Sequence, residues 1–177
     1  MMSALDGVEL KVLVVEDNQH FRLLISTVLH TLGITQVEEA RDGVDALRRL
    51  HSFPADFVIV DWKMEPMDGI GFAHAIRHSP ESPNPFLPII MVTGYSEAAL
   101  VAEARNAGVN EFLAKPISAR SLVARITSVL QTPRAFVRSP DYFGPDRRRG
   151  QQPFSGPDRR VGPADIILPV KPDACQE

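Results

Sequence analysis

Three acidic residues, a threonine and a lysine each follow directly on an apolar run in the 177-residue sequence. Glu16 and Asp17 follow "KVLVV", and Asp61 ends "FVIVD". Thr93 follows "IIMV", and Lys115 follows "EFLA". Converging carboxylates repel one another and raise each other's pKa unless a cation lies between them. The pattern therefore predicts a site for a hard divalent cation with oxygen ligands, and Mg²⁺ is the expected ion.

This set of side chains suits phosphoryl transfer. Mg²⁺ keeps several waters and takes one or two carboxylates plus phosphoryl oxygens, which leaves Asp61 an oxygen that can act as a nucleophile. The Lys115 ammonium and the Thr93 hydroxyl would contact oxygens of the transferring group. Taken singly, each residue is more often a turn, a helix cap or a strand end than part of a site. Their joint occurrence is what favours chemistry.

The five residues converge only if the runs before them are neighbouring parallel strands. Five apolar or β-branched runs alternate with segments of helical period, at residues 10–15, 36–40, 57–61, 87–92 and 110–114. Helices are expected at about 21–32, 43–50, 69–78, 96–107 and 118–130, the last two capped by Ser96 and Ser118. In such an α/β sheet, ligands bind outside the carboxyl ends of the strands, where the strand order reverses.

Composition divides the chain and excludes several protein classes. Residues 1–132 carry 11 Lys and Arg against 16 Asp and Glu, whereas residues 133–177 carry 8 against 6 and hold 8 of the 15 prolines. The single cysteine, Cys175, excludes an internal disulfide and a cysteine metal site. No apolar run reaches the roughly 18 residues of a membrane helix, and the start does not resemble a secretion signal. A cytoplasmic protein without membrane insertion is expected.

Four segments together resemble the response-regulator receiver domain of two-component signalling. They are "VVEDN" at 14–18, "VIVDWKMEPMDG" at 58–69, "IIMVTGYS" at 89–96 and "EFLAKP" at 111–116. The resemblance covers residues 9–131 and implies a flavodoxin-like (βα)5 fold, a doubly wound parallel sheet of order 2-1-3-4-5. It also implies a signalling protein rather than an enzyme, one that catalyses only its own phosphorylation and dephosphorylation.

The resemblance assigns roles to the acidic residues. Asp61 would be the phosphoacceptor, and with Asp17 it would bind Mg²⁺ directly. Glu16 would act through water, and the backbone carbonyl of Lys63 would be a further ligand. The family usually has proline four residues after the acceptor, whereas Glu65 stands here, so the loop after Asp61 can bend differently.

A switch is also implied by the resemblance. The acyl phosphate would add about −1.5 to −2 charges and draw Thr93 and Lys115 onto itself, while Phe112 turns inward. The face of the fourth helix, fifth strand and fifth helix would then bind an unidentified protein partner. The sequence does not determine the oligomeric state, and a dimer through this face is one alternative. A sensor histidine kinase or a histidine phosphotransfer protein would supply the phosphoryl group.

Residues 132–177 lack periodicity and are expected to form a low-complexity tail that is extended or disordered. A seven-residue pattern occurs in it twice, as "YFGPDRR" and as "FSGPDRR", offset by 12 positions. The first copy contributes Tyr142, Gly144, Pro145, Asp146, Arg147 and Arg148. The second copy contributes Phe154, Gly156, Pro157, Asp158, Arg159 and Arg160. The run "ADIILPV" at 164–170 could add as a strand to an edge of this protein or of a partner.

Two other functions stay open beside a stand-alone response regulator. One is a phosphorylation-independent adaptor that docks through the repeated GPDRR motif, although the complete acidic set argues against it. The other is an RNA-binding regulator that acts through the tail. Seven arginines against three aspartates between residues 134 and 161 are too few for strong non-specific binding at physiological salt, so nucleic acid is not an expected partner.

Overall fold

The computed structural model describes residues 9–94, 98–147 and 165–167. The strands of the main sheet are β1 (Lys11–Val15), β2 (Gln36–Ala40), β3 (Phe57–Asp61), β4 (Ile89–Thr93) and β5 (Glu111–Ala114). The helices between and after them are α1 (Gln19–Thr31), α2 (Gly43–Leu50), α3 (Gly69–His78), α4 (Ala98–Asn106) and α5 (Ala119–Gln131). No helix of this described part is long and apolar enough to cross a membrane.

The five strands form one parallel sheet of order β2-β1-β3-β4-β5. The order reverses at β1, because β2 lies on one side of it and β3 on the other. Every residue of β3 and β4 is buried, as expected for central strands covered by helices on both faces. The predicted flavodoxin-like fold and its strand order are confirmed.

Alternate residues of the strands feed two separate apolar layers. Leu13 and Val58 face one layer, which includes Phe72 and Ile76 of α3. Val12 and Phe57 face the other layer, against α1 and α5. Apolar side chains therefore cover both faces of the sheet, and the polar residues at the carboxyl ends of the strands lie outside these two layers.

Polar caps start the helices at the expected places. Ser118 accepts a hydrogen bond from the Ser121 backbone, and the Ser121 side chain caps Ser118 in return, which confirms the predicted N-cap of α5. Asp68 caps α3 in the same position and accepts from the Gly71 N–H at 2.7 Å. Ser96, the N-cap predicted for α4, lies outside the described residues.

The described residues after α5, 132–147 and 165–167, are extended, as expected, but they are also paired and packed, which the composition did not predict. β6 (Phe136–Ser139) and β7 (Tyr142–Pro145) form an antiparallel hairpin, and β8 (Asp165–Ile167) pairs with the other edge of β6. The predicted strand addition is thus confirmed for three residues of "ADIILPV". Arg148 and the second copy of the repeat, 154–160, lie outside the described residues.

The hairpin lies against a buried arginine of α3. Arg77 is 4% exposed and donates to the carbonyls of Pro85 (2.7 Å), Leu87 (2.8 Å) and Gly108 (2.9 Å). Its remaining partner is the Asn110 side-chain oxygen at 3.0 Å. Burial lowers the pKa of Arg77 to about 9, so the guanidinium stays charged at neutral pH. One cation therefore joins α3, the loop before β4 and the turn before β5.

Replacing Arg77 by leucine is expected to lower the free energy of unfolding by about 2 to 4 kcal/mol, because four acceptors each lose a hydrogen bond from the guanidinium. Arg41, whose side chain is 76% exposed, supplies the matched control, and Arg41→Leu should change stability by less than about 0.5 kcal/mol. Urea unfolding followed by circular dichroism measures both. Equal losses in the two variants would contradict the role given to Arg77.

Candidate metal centre

Four neighbouring strand ends bring the predicted site residues to one edge of the sheet. Val15 pairs with Val60, so Glu16 and Asp61 follow on adjacent strands. Asp61 pairs in turn with Val92, the residue before Thr93. The pairing register of the strands therefore brings the predicted residues together at the carboxyl ends of the strands.

The three carboxylates lie close together. One carboxylate oxygen from each of Glu16, Asp17 and Asp61 falls within 4.8 Å of the other two. Glu16 is 2% and Asp61 is 7% exposed, whereas Asp17 faces solvent. Burial, and next the charge of Asp61, raise the pKa of Glu16 above its ordinary value. A hard cation with oxygen ligands would relieve this repulsion, so the donor set fits Mg²⁺.

Lys115 places a positive charge against two of these carboxylates. Its Nζ lies 2.7 Å from Asp61 Oδ1 and 3.0 Å from Glu16 Oε2. Burial lowers the pKa of Lys115, but the hydrogen bonds to Asp61 and Glu16 outweigh that effect, and the net shift is upward. The Phe21 ring lies 4.3 Å from the ammonium and covers it. The Lys115 ammonium is therefore fixed in position against Asp61, the carboxylate that is predicted to react.

The backbone after β3 fixes the other oxygen of Asp61. The Lys63 N–H donates to Asp61 Oδ2 at 3.1 Å, and the Gly69 N–H donates to the carbonyl of Trp62 at 3.0 Å. A Cβ on Gly69 would lie 2.3 Å from the Asp61 carbonyl oxygen, so α3 starts against the end of β3 only because residue 69 has no side chain. The peptide bonds Glu65–Pro66 and Lys115–Pro116 are both cis.

Residues at the start of α1 support Glu16, and the sequence analysis did not identify them. The Asn18 N–H donates to Glu16 Oε1 at 3.3 Å. Arg22 donates to the Glu16 carbonyl at 2.6 Å and forms an ion pair with Glu39 at 3.0 Å. Their position in the first turn after the "VVED" strand end is the signal that could have found them, because that turn must lie beside the site.

The other predicted residues have mixed placements. Thr93 is buried at the end of β4, and its carbonyl accepts from the Lys115 N–H at 2.8 Å. Phe112 is half-buried on β5 and packs against the apolar layer on the α3 side. Lys63 reaches Asp61 through its N–H; the role predicted for its carbonyl stays a prediction. Tyr142, Gly144, Pro145, Asp146 and Arg147 belong to the hairpin or follow it, at the opposite edge of the sheet.

Comparison with known proteins gives a consistent result. The response regulator receiver domain family matches residues 12–127. The chemotaxis protein CheY of Pseudomonas aeruginosa is 37% identical over 122 residues, which are 69% of this chain and 97% of that protein. CheY-3 of Vibrio cholerae is 33% identical over 130 residues, covering 73% of this chain and 98% of its own length. The crystal structure of Vibrio cholerae CheY4 superposes with a TM-score of 0.64 at 31% identity, covering 70% of this chain and all of that one.

Gly69→Ala is expected to lower the free energy of unfolding by about 1 to 3 kcal/mol, since the added methyl group meets the backbone of Asp61. Gly94→Ala is the matched control, because nothing lies within 4 Å of a Cβ at that position. Thermal unfolding in the absence of divalent ions compares the two. A Gly69→Ala variant as stable as Gly94→Ala would contradict the close approach of α3 to β3.

Proposed function

The chain belongs to the response regulator receiver domain family, and on that premise we propose that it accepts a phosphoryl group on Asp61 in two-component signalling. The observation that carries the proposal is the placement of Asp61, which lies 2.7 Å from the Lys115 ammonium and within 4.8 Å of two further carboxylates. This is the arrangement that charge neutralisation in phosphoryl transfer needs.

The residues around Asp61 divide the work of the transfer. A carboxylate oxygen of Asp61 attacks phosphorus, the bond from phosphorus to the donor nitrogen breaks, and the donor imidazole leaves with that electron pair. Lys115 and Thr93 stabilise the negative charge on the phosphoryl oxygens. Glu16, Asp17, Asp61 and the Lys63 carbonyl would hold Mg²⁺, which supplies charge neutralisation when bound. Attack of water on phosphorus later restores the carboxylate.

The donor that fits this chemistry is a phosphohistidine of a sensor kinase or of a phosphotransfer protein. Such donors are charged from ATP, which places the proposed reaction in the cytoplasm. The output is a changed protein-binding face on α4, β5 and α5, where movement of Thr93 and Lys115 would be transmitted first. The alternative of an adaptor that docks through the tail has less support, because Tyr142, Gly144 and Pro145 of the first motif are buried.

Mg²⁺ is expected to change the fluorescence of Trp62, the only tryptophan, which is 8% exposed and adjacent to Asp61. A small acyl phosphate added next should change it again in the wild type but not in Asp61→Asn. Asp56→Asn is the control, because Asp56 precedes the same strand at the opposite edge and caps the Lys11 N–H at 2.7 Å. A wild-type chain that binds Mg²⁺ and shows no second change would contradict the acceptor role.

Lys115→Met is expected to tighten Mg²⁺ binding by about three- to tenfold, because a competing positive charge leaves the carboxylates. The same change should slow phosphorylation by about a hundredfold, since a donor to the phosphoryl oxygens is lost. Lys11→Met, at the far end of β1, removes an equal charge outside the site. The two rates and affinities are measured by fluorescence titration and stopped flow. Equal behaviour of both variants would dispose of this role.

A further inference from the structure

The hairpin of β6 and β7 occupies a surface formed by Phe86, Asn106 and Gly108, here called the α4–β5 corner. The Phe86 ring packs edge-on against Phe136 and Phe143, with centroids 5.0 and 5.4 Å apart. Phe136 and Phe143 are 5.6 Å from each other, so the three rings form one cluster. The Arg77 guanidinium lies 5.1 Å from the Phe136 ring and closes the cluster from below. The hairpin therefore packs on Phe86 through two aromatic rings, with the Arg77 guanidinium against one of them.

Two residues of the repeated motif contact the corner directly, Gly144 against Gly108 and Arg147 against Asn106. The buried Tyr142 hydroxyl donates to the Pro145 carbonyl at 2.7 Å, which folds the segment over its glycine. A Cβ on Gly144 would lie 2.6 Å from that hydroxyl and 2.9 Å from the Gly108 Cα, so only glycine fits. Arg147 donates to the Asn106 side-chain oxygen at 2.5 Å and lies 4.0 Å from the Tyr142 ring. The glycine and the arginine of the motif therefore fit this surface, and Tyr142 holds the segment in the conformation that presents them.

The corner is also connected to the candidate metal centre. Asn106 ends α4, the helix that leads from the edge holding Thr93 to the edge holding the hairpin. Glu111 begins β5, and β5 runs back to Lys115. Arg134, just before the hairpin, donates to Glu111 at 3.2 Å, and Ser128 of α5 donates to the same oxygen at 3.1 Å. Helix α4 and strand β5 therefore each have one end at the hairpin contacts and lead from there toward the candidate metal centre.

We propose that the α4–β5 corner is a binding site for the chain's own aromatic-x-Gly-Pro-Asp-Arg segment, and that its occupation is coupled to phosphorylation of Asp61. The coupling rests on the proposed function, whereas the binding site does not. The observed contacts belong to the state in which Lys115 bridges Asp61 and Glu16. A phosphoryl group would draw Lys115 and Thr93 toward itself, so phosphorylation weakens the hairpin contacts and frees the segment for a protein partner.

Coupling of this kind is reciprocal. If a phosphoryl group at Asp61 loosens the hairpin, then a loosened hairpin must strengthen binding at Asp61 by the same factor. Beryllofluoride, a tetrahedral mimic of the phosphoryl group that binds carboxylates without a covalent step, makes both directions measurable at equilibrium. The comparison uses the full chain with Mg²⁺ throughout.

The experiment compares the wild type with Gly144→Val, which cannot fit against Gly108, and with Arg147→Ala, which loses the contact to Asn106 without a steric clash. Asp141→Ala, at the exposed turn of the same hairpin, is the matched control. Hydrogen exchange over residues 134–147 reports docking, and Trp62 fluorescence reports beryllofluoride affinity. The Gly144→Val and Arg147→Ala variants should both exchange faster, and both should bind beryllofluoride about fivefold tighter or more. In the wild type, beryllofluoride should speed exchange of the hairpin by the same factor.

The outcomes separate the three claims. Unchanged hydrogen exchange in both Gly144→Val and Arg147→Ala would overturn the proposed binding site. Faster exchange with equal beryllofluoride affinity in all four chains would overturn the coupling and leave the proposed function standing. A wild type that shows no response to Mg²⁺ and beryllofluoride would overturn the proposed function and the coupling together, while the exchange data would still decide the binding site.

Discussion

Two buried carboxylates that share one ammonium are the constraint from which the rest of the candidate site follows. Glu16 and Asp61 are both almost fully buried, and Lys115 bridges them at 3.0 and 2.7 Å. Burying such charges is costly unless they are paired, so the chain must hold β1, β3 and β5 in fixed register. The parallel sheet does this, and the same register leaves Asp17 facing solvent, where a metal ion could enter.

A fully buried cation, Arg77, lies at the opposite edge of the sheet and organises a different set of contacts. Arg77 holds the loop before β4 and the turn before β5 through neutral oxygens. Its guanidinium also supports the aromatic cluster under the hairpin. Helix α4 and strand β5 run between the two edges, and their residues Asn106 and Glu111 accept hydrogen bonds from Arg147 and Arg134 of the C-terminal segment.

Most of the fold could be predicted because β1, β3 and β4 are nearly continuous apolar runs and the segments between the strands have helical periodicity. The carboxylates, Thr93 and Lys115 were found because they follow those runs at strand ends. The hairpin was missed as a packed element, since Phe136 and Phe143 have no local periodicity and are stabilised by Phe86, some fifty residues earlier in the chain. Arg22 was missed for a related reason: its bond to the Glu16 carbonyl depends on how α1 leaves the strand.

Asp61 is the proposed site of phosphorylation, and this assignment can be tested directly. Borohydride reduces an aspartyl phosphate to homoserine, which marks the modified residue permanently, and peptide mass spectrometry then locates it. After treatment with Mg²⁺ and a small acyl phosphate, homoserine is expected at position 61, and omission of Mg²⁺ should abolish it. Homoserine in place of another aspartate, or no homoserine at all in a chain that binds Mg²⁺, would contradict the assignment of Asp61 as the phosphorylated residue.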